Sequence, residues 1–474
     1  MYNLKVTNQS GNKERTIGLE FENPVLRKNG EPVSYDEMQS LWQSFVKRNW
    51  KPKVDPVLGI IDGLSKDFND VSASIISDAG AGNFELALSP QKNIAGAKEA
   101  YDLVMAEILP ILEEHNIMLV GFGMQPGHIA DMEDFRRKNS MYVAWTELGS
   151  SDKYANETSS AISAHQVGVG ANVRELAEIT NEIIKVTGLI TALCGNSPIH
   201  NWEKLPYKEW RIICMSGLRM VSNYAEFIKV IGFPERPFNS LSDILRYYWD
   251  TPFMMLPLLR NDQWIIPDEK INFLSYFKKK EIMGHDTAGK SVQVIPEASD
   301  VNWASIQFWS HLKPHLTVDD SKITVKEFVE KLEADRLEEY LEDKLTNCYV
   351  ECRVAGAAPV GEEMAIPSLM VGLVNNLEEL KTITQRYTWN DWKELVYDAA
   401  VRGLDAEVAG DKILPVLKDF IEVAKNGLIA RKFGEEKNLE PFYVRMETGK
   451  NPADLALEHF EKSKEDFINF IRYK

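Results

Sequence analysis

This chain is short of the features that would place it in an oxidising compartment, in a membrane or on a nucleic acid. It has four cysteines, Cys194, Cys214, Cys348 and Cys352, with no C-x-x-C pair and no disulfide-dense spacing. That excludes a small disulfide-stapled scaffold. Cys348 and Cys352 can share a strand face, but a bridge along one strand is geometrically poor. Apolar runs are brief: the best, Ile366 to Val374, is far too short to span a bilayer. Met1-Tyr2-Asn3-Leu4-Lys5 lacks the apolar stretch of a signal peptide. Positive charge is also scarce, with 54 Lys and Arg against 71 Asp and Glu, a net charge of −17. Such a balance disfavours nucleic-acid and acidic-membrane partners. The one basic run, Lys278-Lys279-Lys280, reads as a solvated helix end. Internal repeats and low-complexity linkers are missing too. The expectation is a reduced, cytoplasmic protein with small-molecule partners, no nucleic acid and no membrane, its oligomeric state left open.

What the chain does have is an ordinary globular balance, 44% hydrophobic and 26% charged over 474 residues. That length holds about two or three average domains or one large catalytic domain. Apolar residues at three-to-four spacing mark amphipathic helices over 96–115, with Pro110 inside, 173–186 and 411–428. A terminal helix rich in exposed charge is predicted over 453–473. Thr324 to Leu345 is very acidic and helical in period, with the interleaved Lys/Glu pattern of a solvated helix. It reads as an excursion, about 317–347, between two functional segments. With strand-like stretches interspersed throughout, the fold class is α+β, a largely antiparallel sheet with helices packed on one side.

The strands carry the chemistry. In Ile17-Gly18-Leu19-Glu20-Phe21-Glu22, alternation sends Ile17, Leu19 and Phe21 to one face and Gly18, Glu20 and Glu22 to the other. Two carboxylates beside a glycine repel one another unless a cation lies between them, and paired carboxylates suit Mg²⁺. The competing reading is a half-exposed strand with a solvated acidic face. Three further segments repeat the pattern. Phe84, Leu86 and Leu88 alternate with Asn83, Glu85 and Ala87; Gln166 lies between small residues in Ala164–Gly170; and Glu351 and Arg353 share a face backed by Val350, Cys352 and Val354. Together they describe a sheet with one packed face and one lined by oxygen ligands, small residues and an arginine, a better match to a site than to plain surface.

Thr16 to Glu22, Gly82 to Pro90, Gly121 to Pro126, His165-Gln166-Val167, Ala192 to Pro198, Asn302 to Leu312 and Tyr349 to Asn375 occur in the order seen in glutamate–cysteine ligases. The chain resembles the plant and proteobacterial branch and its related carboxylate–amine ligases from about residue 15 to about 455. The most specific piece is Glu351-Cys352-Arg353-Val354-Ala355-Gly356-Ala357, followed by Ile366-Pro367 and Val371-Gly372-Leu373. The resemblance implies a glutamine synthetase-like fold, a curved antiparallel sheet with helices on its convex side and ATP and Mg²⁺ on its concave face. It implies one ligase domain over 1–474 with the acidic insertion and a helical C-terminal region from about 411. It further implies that Glu20, His311 and Glu351 hold one metal and that Glu22, Glu85 and Gln166 hold another. Arg353 would meet the transferring phosphoryl group, and Arg211 would contact the amino-acid substrate. The implied reaction joins glutamate to an amine, cysteine first, through an acyl phosphate.

The chain departs from that family after His311-Leu312. There Lys313-Pro314-His315-Leu316 replaces a Phe-Pro-x-Val-Arg stretch, so an arginine is missing, with His315 or Lys313 as its stand-in. Gly168 replaces a usual asparagine. A ligase with another amine or acid is therefore an alternative. Gly284-His285-Asp286-Thr287-Ala288-Gly289-Lys290-Ser291 also matches the P-loop pattern, but its flanks do not read as a strand before it and a helix at the lysine. A P-loop NTPase and an inactive nucleotide-binding module are the rival classes. Gly168-Val169-Gly170 is an incomplete dinucleotide fingerprint, with Val173 in the third glycine position. His165 reads as a core histidine, His128 and His285 as loop residues, and Trp202, Trp210, Trp389 and Trp392 as packing groups.

Overall fold

The computed structural model describes residues 15–55, 58–78, 80, 82–127, 161–216, 229–258, 263–305 and 307–474. Its alternating segments become strands: Ile17–Arg27 (β1), Lys51–Val54 (β2), Ile61–Phe68 (β3), Val71–Ile76 (β4), Asn83–Gln91 (β5), Ile117–Leu119 (β6) and His165–Gly170 (β7). Further along come Leu256–Leu258 (β8), Gln263–Pro267 (β9), Ile282–Asp286 (β10), Ser291–Val294 (β11), Leu312–Val318 (β12) and Leu345–Cys352 (β13). A nine-stranded sheet runs β12-β13-β7-β1-β5-β4-β3-β2, with β6 also paired to β1. Every pairing in it is antiparallel. The mixed helix and antiparallel-sheet class expected from the sequence is borne out. β8 to β11 form a separate four-stranded antiparallel sheet.

Because strand side chains alternate, register decides which residues share a face. Phe21 lies opposite both Leu86 and His165, and Val350 opposite Val169. Those residues, with Leu19, Val167 and Leu312, are buried in the main core. Helices Ile94–Glu114, Leu176–Lys185 and Ala365–Asn375 cover this apolar face. The first is N-capped by Asn93, whose side chain accepts from the Gly96 amide at 2.8 Å. Pro110 is accommodated within it because Pro110 and Ala106, whose carbonyl loses its helical donor, both lie on the exposed side.

The acidic excursion links β12 to β13, which pair with each other. It folds as two helices, Val325–Glu333 and Leu337–Leu341, broken at Asp335, where φ is +56°. It is more than a solvated arm: Phe328, Leu332, Leu337 and Leu341 are buried, and Arg246 donates to the Leu332 carbonyl at 2.6 Å. The predicted terminal helix is two, Pro452–Lys462 and Lys464–Ile471. Ser463 is extended between them and caps the second, its hydroxyl accepting from the Asp466 amide at 3.0 Å. Beyond them the Tyr473 amide donates to the Leu119 carbonyl at 3.0 Å, tying this end of the chain to β6.

The P-loop reading does not survive the fold. Gly284–Ser291 runs from the end of β10 through the hairpin turn at 287–290 to the first residue of β11, with Lys290 next to a strand rather than at a helix start. The Asp286 carboxylate accepts from the Ala288 and Lys290 amides at 3.0 and 2.8 Å, and Gly289 takes φ +79°. Those amides are turned onto a carboxylate and offer no cradle for phosphate. Gly168 and Gly170 lie within strand β7, so that fragment makes no phosphate-binding turn either. His285 is on β10, not in a loop, 3.1 Å from an Asp268 carboxylate oxygen. His128 lies outside the described residues. All four cysteines are free and buried. Among the described residues no helix is long and apolar enough to cross a membrane.

Candidate active site

The second face of the sheet carries the polar residues. Register sets Glu20 opposite Gln166, Glu22 opposite Glu85, and Glu351 opposite both Gly168 and Lys313. The segment after β4 adds Asp78. Ligand oxygens of Glu22, Asp78 and Glu85 all lie within 4.8 Å of one another. Three hard oxygen donors at that spacing fit a divalent cation such as Mg²⁺. Gln166 joins the group by donating to Glu22, whose other oxygen accepts from the Ala164 amide at 2.7 Å.

The electrostatics of this face suits a bound cation. Burial, then the charge of Asp78, pushes the Glu22 carboxyl up to about 7. Burial, then the charge of Glu351, pushes Glu20 up to about 8. Desolvated carboxylates crowded on one face disfavour their own ionisation, and a bound cation reverses that penalty.

Arg353 stands between the two ends of the face. Its guanidinium donates to Gln166 and, at 2.7 Å, to Glu351, while its buried Nε has no hydrogen-bond partner. His315 Nε2 is 3.0 Å from the same Glu351 oxygen. Burial works against ionisation of Glu351, but the charges of His315 and Arg353, with the hydrogen bond from His315, outweigh it and hold its carboxyl below the usual range. Burial lowers His315 to about 4, against the pull of the Glu351 charge. That ring stacks on Tyr349 with centroids 4.4 Å apart.

His311 is buried with Nδ1 unpartnered, and burial, then the charge of Arg211, lowers it to about 3. A neutral imidazole of this kind is competent as a metal ligand. The set Glu20, His311 and Glu351 is more open than the other: among the described residues these three form no cluster at 4.8 Å spacing. Arg211 is 2% exposed and lies 3.3 Å from Glu209, and its Nη2 has no hydrogen-bond partner. Glu209 also accepts from the Asn196 amide at 2.8 Å, which ties Arg211 to the Asn196-Ser197-Pro198 segment.

Sequence reasoning did not find Asp78 or Glu209. Asp78 belongs to a short connection between strands, where no alternation marks a side chain's direction. Glu209, two residues from Arg211, carried only the weak signal of an opposite charge nearby. His165 is buried on the apolar face, edge-on to Phe21, and accepts from the Ala358 amide at 3.2 Å, a core role. Trp392 is buried and donates to the Thr384 carbonyl at 2.9 Å, and Trp389 donates to that of Pro234 at 3.0 Å, so both serve packing.

Residues 16–216 match the family described as glutamate-cysteine ligase family 2 (GCS2). No curated protein matches the sequence. Among solved structures the chain is similar to a glutamate–cysteine ligase from Francisella tularensis in complex with AMP. The TM-score is 0.53 and the identity 11%, over 97% of this chain and 88% of that one. A bifunctional glutathione synthetase from Pasteurella multocida gives a TM-score of 0.46 at 11% identity, over 96% of this chain and 51% of that one. The complex of the prokaryotic ubiquitin-like protein Pup with its ligase PafA gives 0.39 at 10%, over 96% and 69%. The resemblance to glutamate–cysteine ligases is borne out over residues 16–216, and the fold likeness runs through most of the chain. An enzyme of the glutamate–cysteine ligase type is what this match supports.

Proposed function

For a chain whose residues 16–216 carry the glutamate-cysteine ligase family 2 pattern, we propose an ATP- and Mg²⁺-dependent ligase. It joins the γ-carboxylate of glutamate to an amine, cysteine first. The observation that carries this reading is the oxygen cluster of Glu22, Asp78 and Glu85 on the same sheet face as Arg353. The proposal includes a single ligase domain over the whole chain and a glutamine synthetase-like curvature of the sheet.

The chemistry follows from the residues. A carboxylate in water does not condense with an amine without activation. Phosphoryl transfer from ATP gives an acyl phosphate, and an amine displaces phosphate from it to leave the amide. Bound Mg²⁺ would neutralise phosphate charge at Glu22, Asp78, Glu85 and Gln166, with Glu20, His311 and Glu351 as the second donor set. Arg353 is fixed through Nη1 by Gln166 and Glu351, which leaves its Nε and Nη2 N–H groups as donors for the transferring group. Arg211, with Nη2 unpartnered in a buried site, is the donor for the amino-acid substrate. Water is kept from this face by burial of Glu22, Gln166, His311 and Glu351.

A second reading, a ligase for another acid or amine, is favoured by the buried Lys313 and the partly buried His315 on β12. ADP release with Mg²⁺, glutamate and a panel of amines tests both. Glu20→Gln and Glu351→Gln are each expected to cut turnover by about 10²-fold or more. The best amine in the panel decides between the readings. Amine-independent ATP hydrolysis, or nucleotide binding without turnover on any acid–amine pair, overturns the ligase.

A further inference from the structure

Lys278-Lys279-Lys280 lies in the exposed turn after helix Phe273–Tyr276, the helix end expected from the sequence. It does more than face solvent. A groove of about 410 Å³ opens between this turn, the residues that follow β11 and the first helix of the acidic excursion, Val325–Glu333. Its floor is apolar, made by Phe277, Ile295, Pro296, Val325 and Val329. Val325 and Val329 are one helical turn apart and share a face. Phe328 and Leu332, on the same helix, are buried instead, with the Phe328 ring 5.7 Å from that of Trp249. Ile295 is left 53% exposed at the edge of the groove.

The rim is cationic. Lysines 278, 279 and 280 line it from the turn and Lys326 from the helix, with Glu330 as the one carboxylate among them. Lys278 reaches across to Glu333 at 2.5 Å, which clamps the two walls together, and Lys279 pairs with Glu269. The other two are uncommitted: Lys326 has only Glu330, at 3.9 Å, and Lys280 makes no hydrogen bond or ion pair with a described residue. Four lysines against Glu269, Glu330 and Glu333 leave the rim net positive, in a chain whose overall charge is −17.

An aliphatic floor under a cationic rim is complementary to a molecule with an aliphatic body and an anionic head. The volume falls in the range of small-molecule sites, about 300–1,000 Å³, and is too small for a folded partner. A nucleotide is a poor match, because Phe277 is the one aromatic residue on the floor and is itself buried. We propose that this groove is a second ligand site for an aliphatic anion, a carboxylate or a phosphate monoester. Its chain lies on Ile295, Val325 and Val329, and its head is held by Lys280 and Lys326. The lysine stems extend the apolar surface under the chain. The groove shares no residue with the candidate active site, and the proposal does not rest on the ligase reading. Because one wall belongs to the excursion and the other to the turn and the end of β11, a bound chain fastens the two together.

Isothermal titration of the full chain with octanoate, octyl phosphate and 1-octanol separates charge from chain. At least one of the anions is expected to bind about tenfold or more tightly than the alcohol. Octanoate alone assigns the head to a carboxylate, octyl phosphate alone to a phosphate monoester, and both together to either. Lys280→Ser combined with Lys326→Ser should weaken the anions about tenfold and leave octanol within about threefold. Ile295→Ser should weaken all the ligands severalfold. These side chains are exposed, so without ligand the variants should unfold at the wild-type midpoint. Bound anion should raise the midpoint of wild type more than that of the double variant. Octanol binding as tightly as the anions, no binding by any of the three, or anion affinity unchanged in the double variant overturns the site. ADP release failing on every acid–amine pair removes the ligase and leaves the groove standing.

Discussion

The ring of Tyr349 occupies the space that a side chain on Gly168 would need. A Cβ at 168 would sit 2.9 Å from Tyr349 Cδ2 and 3.1 Å from Cε2. Two departures from the family pattern are thereby joined, because Tyr349 is also the surface on which His315 stacks and from which His315 reaches Glu351. Gly168→Ala should push the ring aside, loosen His315 and free Glu351 to move. The expected cost is about 1–3 kcal/mol of stability, from overpacking, together with a fall in turnover. A double-mutant cycle with Tyr349→Leu measures the coupling. If Gly168→Ala has the stability and turnover of wild type, the ring does not hold His315 in place.

Asp78 is expected to behave as a metal-site residue. With its oxygen beside those of Glu22 and Glu85, Asp78→Asn removes charge without changing shape. The Mg²⁺ concentration for half-maximal ADP release should rise about tenfold or more. Asp67→Asn, which alters an exposed carboxylate on β3, should leave it unchanged. A shift common to both variants would reduce Asp78 to a contributor to net charge.

These two sites mark what was legible in the sequence. Alternation in β1 separates Ile17, Leu19 and Phe21 from Glu20 and Glu22, and the register follows it, since a one-residue slip would bury the carboxylates against Ile94–Glu114. Which strand lies beside which depends on contacts far apart in the chain, so neither the facing of Glu22 and Glu85 nor that of Lys313 and Glu351 was readable from spacing. Asp78 follows a strand end and has no periodicity to betray it. Helix ends failed for a local reason. Ser463 interrupts a continuous helical pattern because its hydroxyl is worth more as a cap for Lys464–Ile471 than as a helix-interior residue. Gly284–Ser291 shows the converse: its letters suit a phosphate loop, but only the hairpin decides where the amides point.

That hairpin gives its own expectation. Lys290→Ala should leave ADP release within about twofold of wild type, since the lysine makes no part of the site face. Asp286→Ala removes the acceptor of two turn amides and should cost about 1–3 kcal/mol in denaturant unfolding. Loss of nucleotide binding in Lys290→Ala would return the P-loop to contention.

His165 should give the protein a pH-dependent stability that owes nothing to catalysis. Burial among apolar side chains lowers its imidazole to about 3, against an ordinary 6.5. Above pH 6.5 neither the folded nor the unfolded chain binds this proton, and its contribution to stability is fully present. Between 6.5 and about 3 the unfolded chain takes up a proton that the folded one refuses, so stability falls as the pH falls. The slope from this one group approaches about 1.4 kcal/mol per pH unit. His165→Asn retains an acceptor for the Ala358 amide but cannot titrate. It is expected to be less stable than wild type at pH 7.5, through lost packing against Phe21. Its unfolding free energy between pH 6.5 and 5 should nevertheless decline less steeply, by up to one proton's worth. Parallel slopes for the two proteins would mean that His165 is protonated within the fold, and that the apolar face of β7 admits a charge.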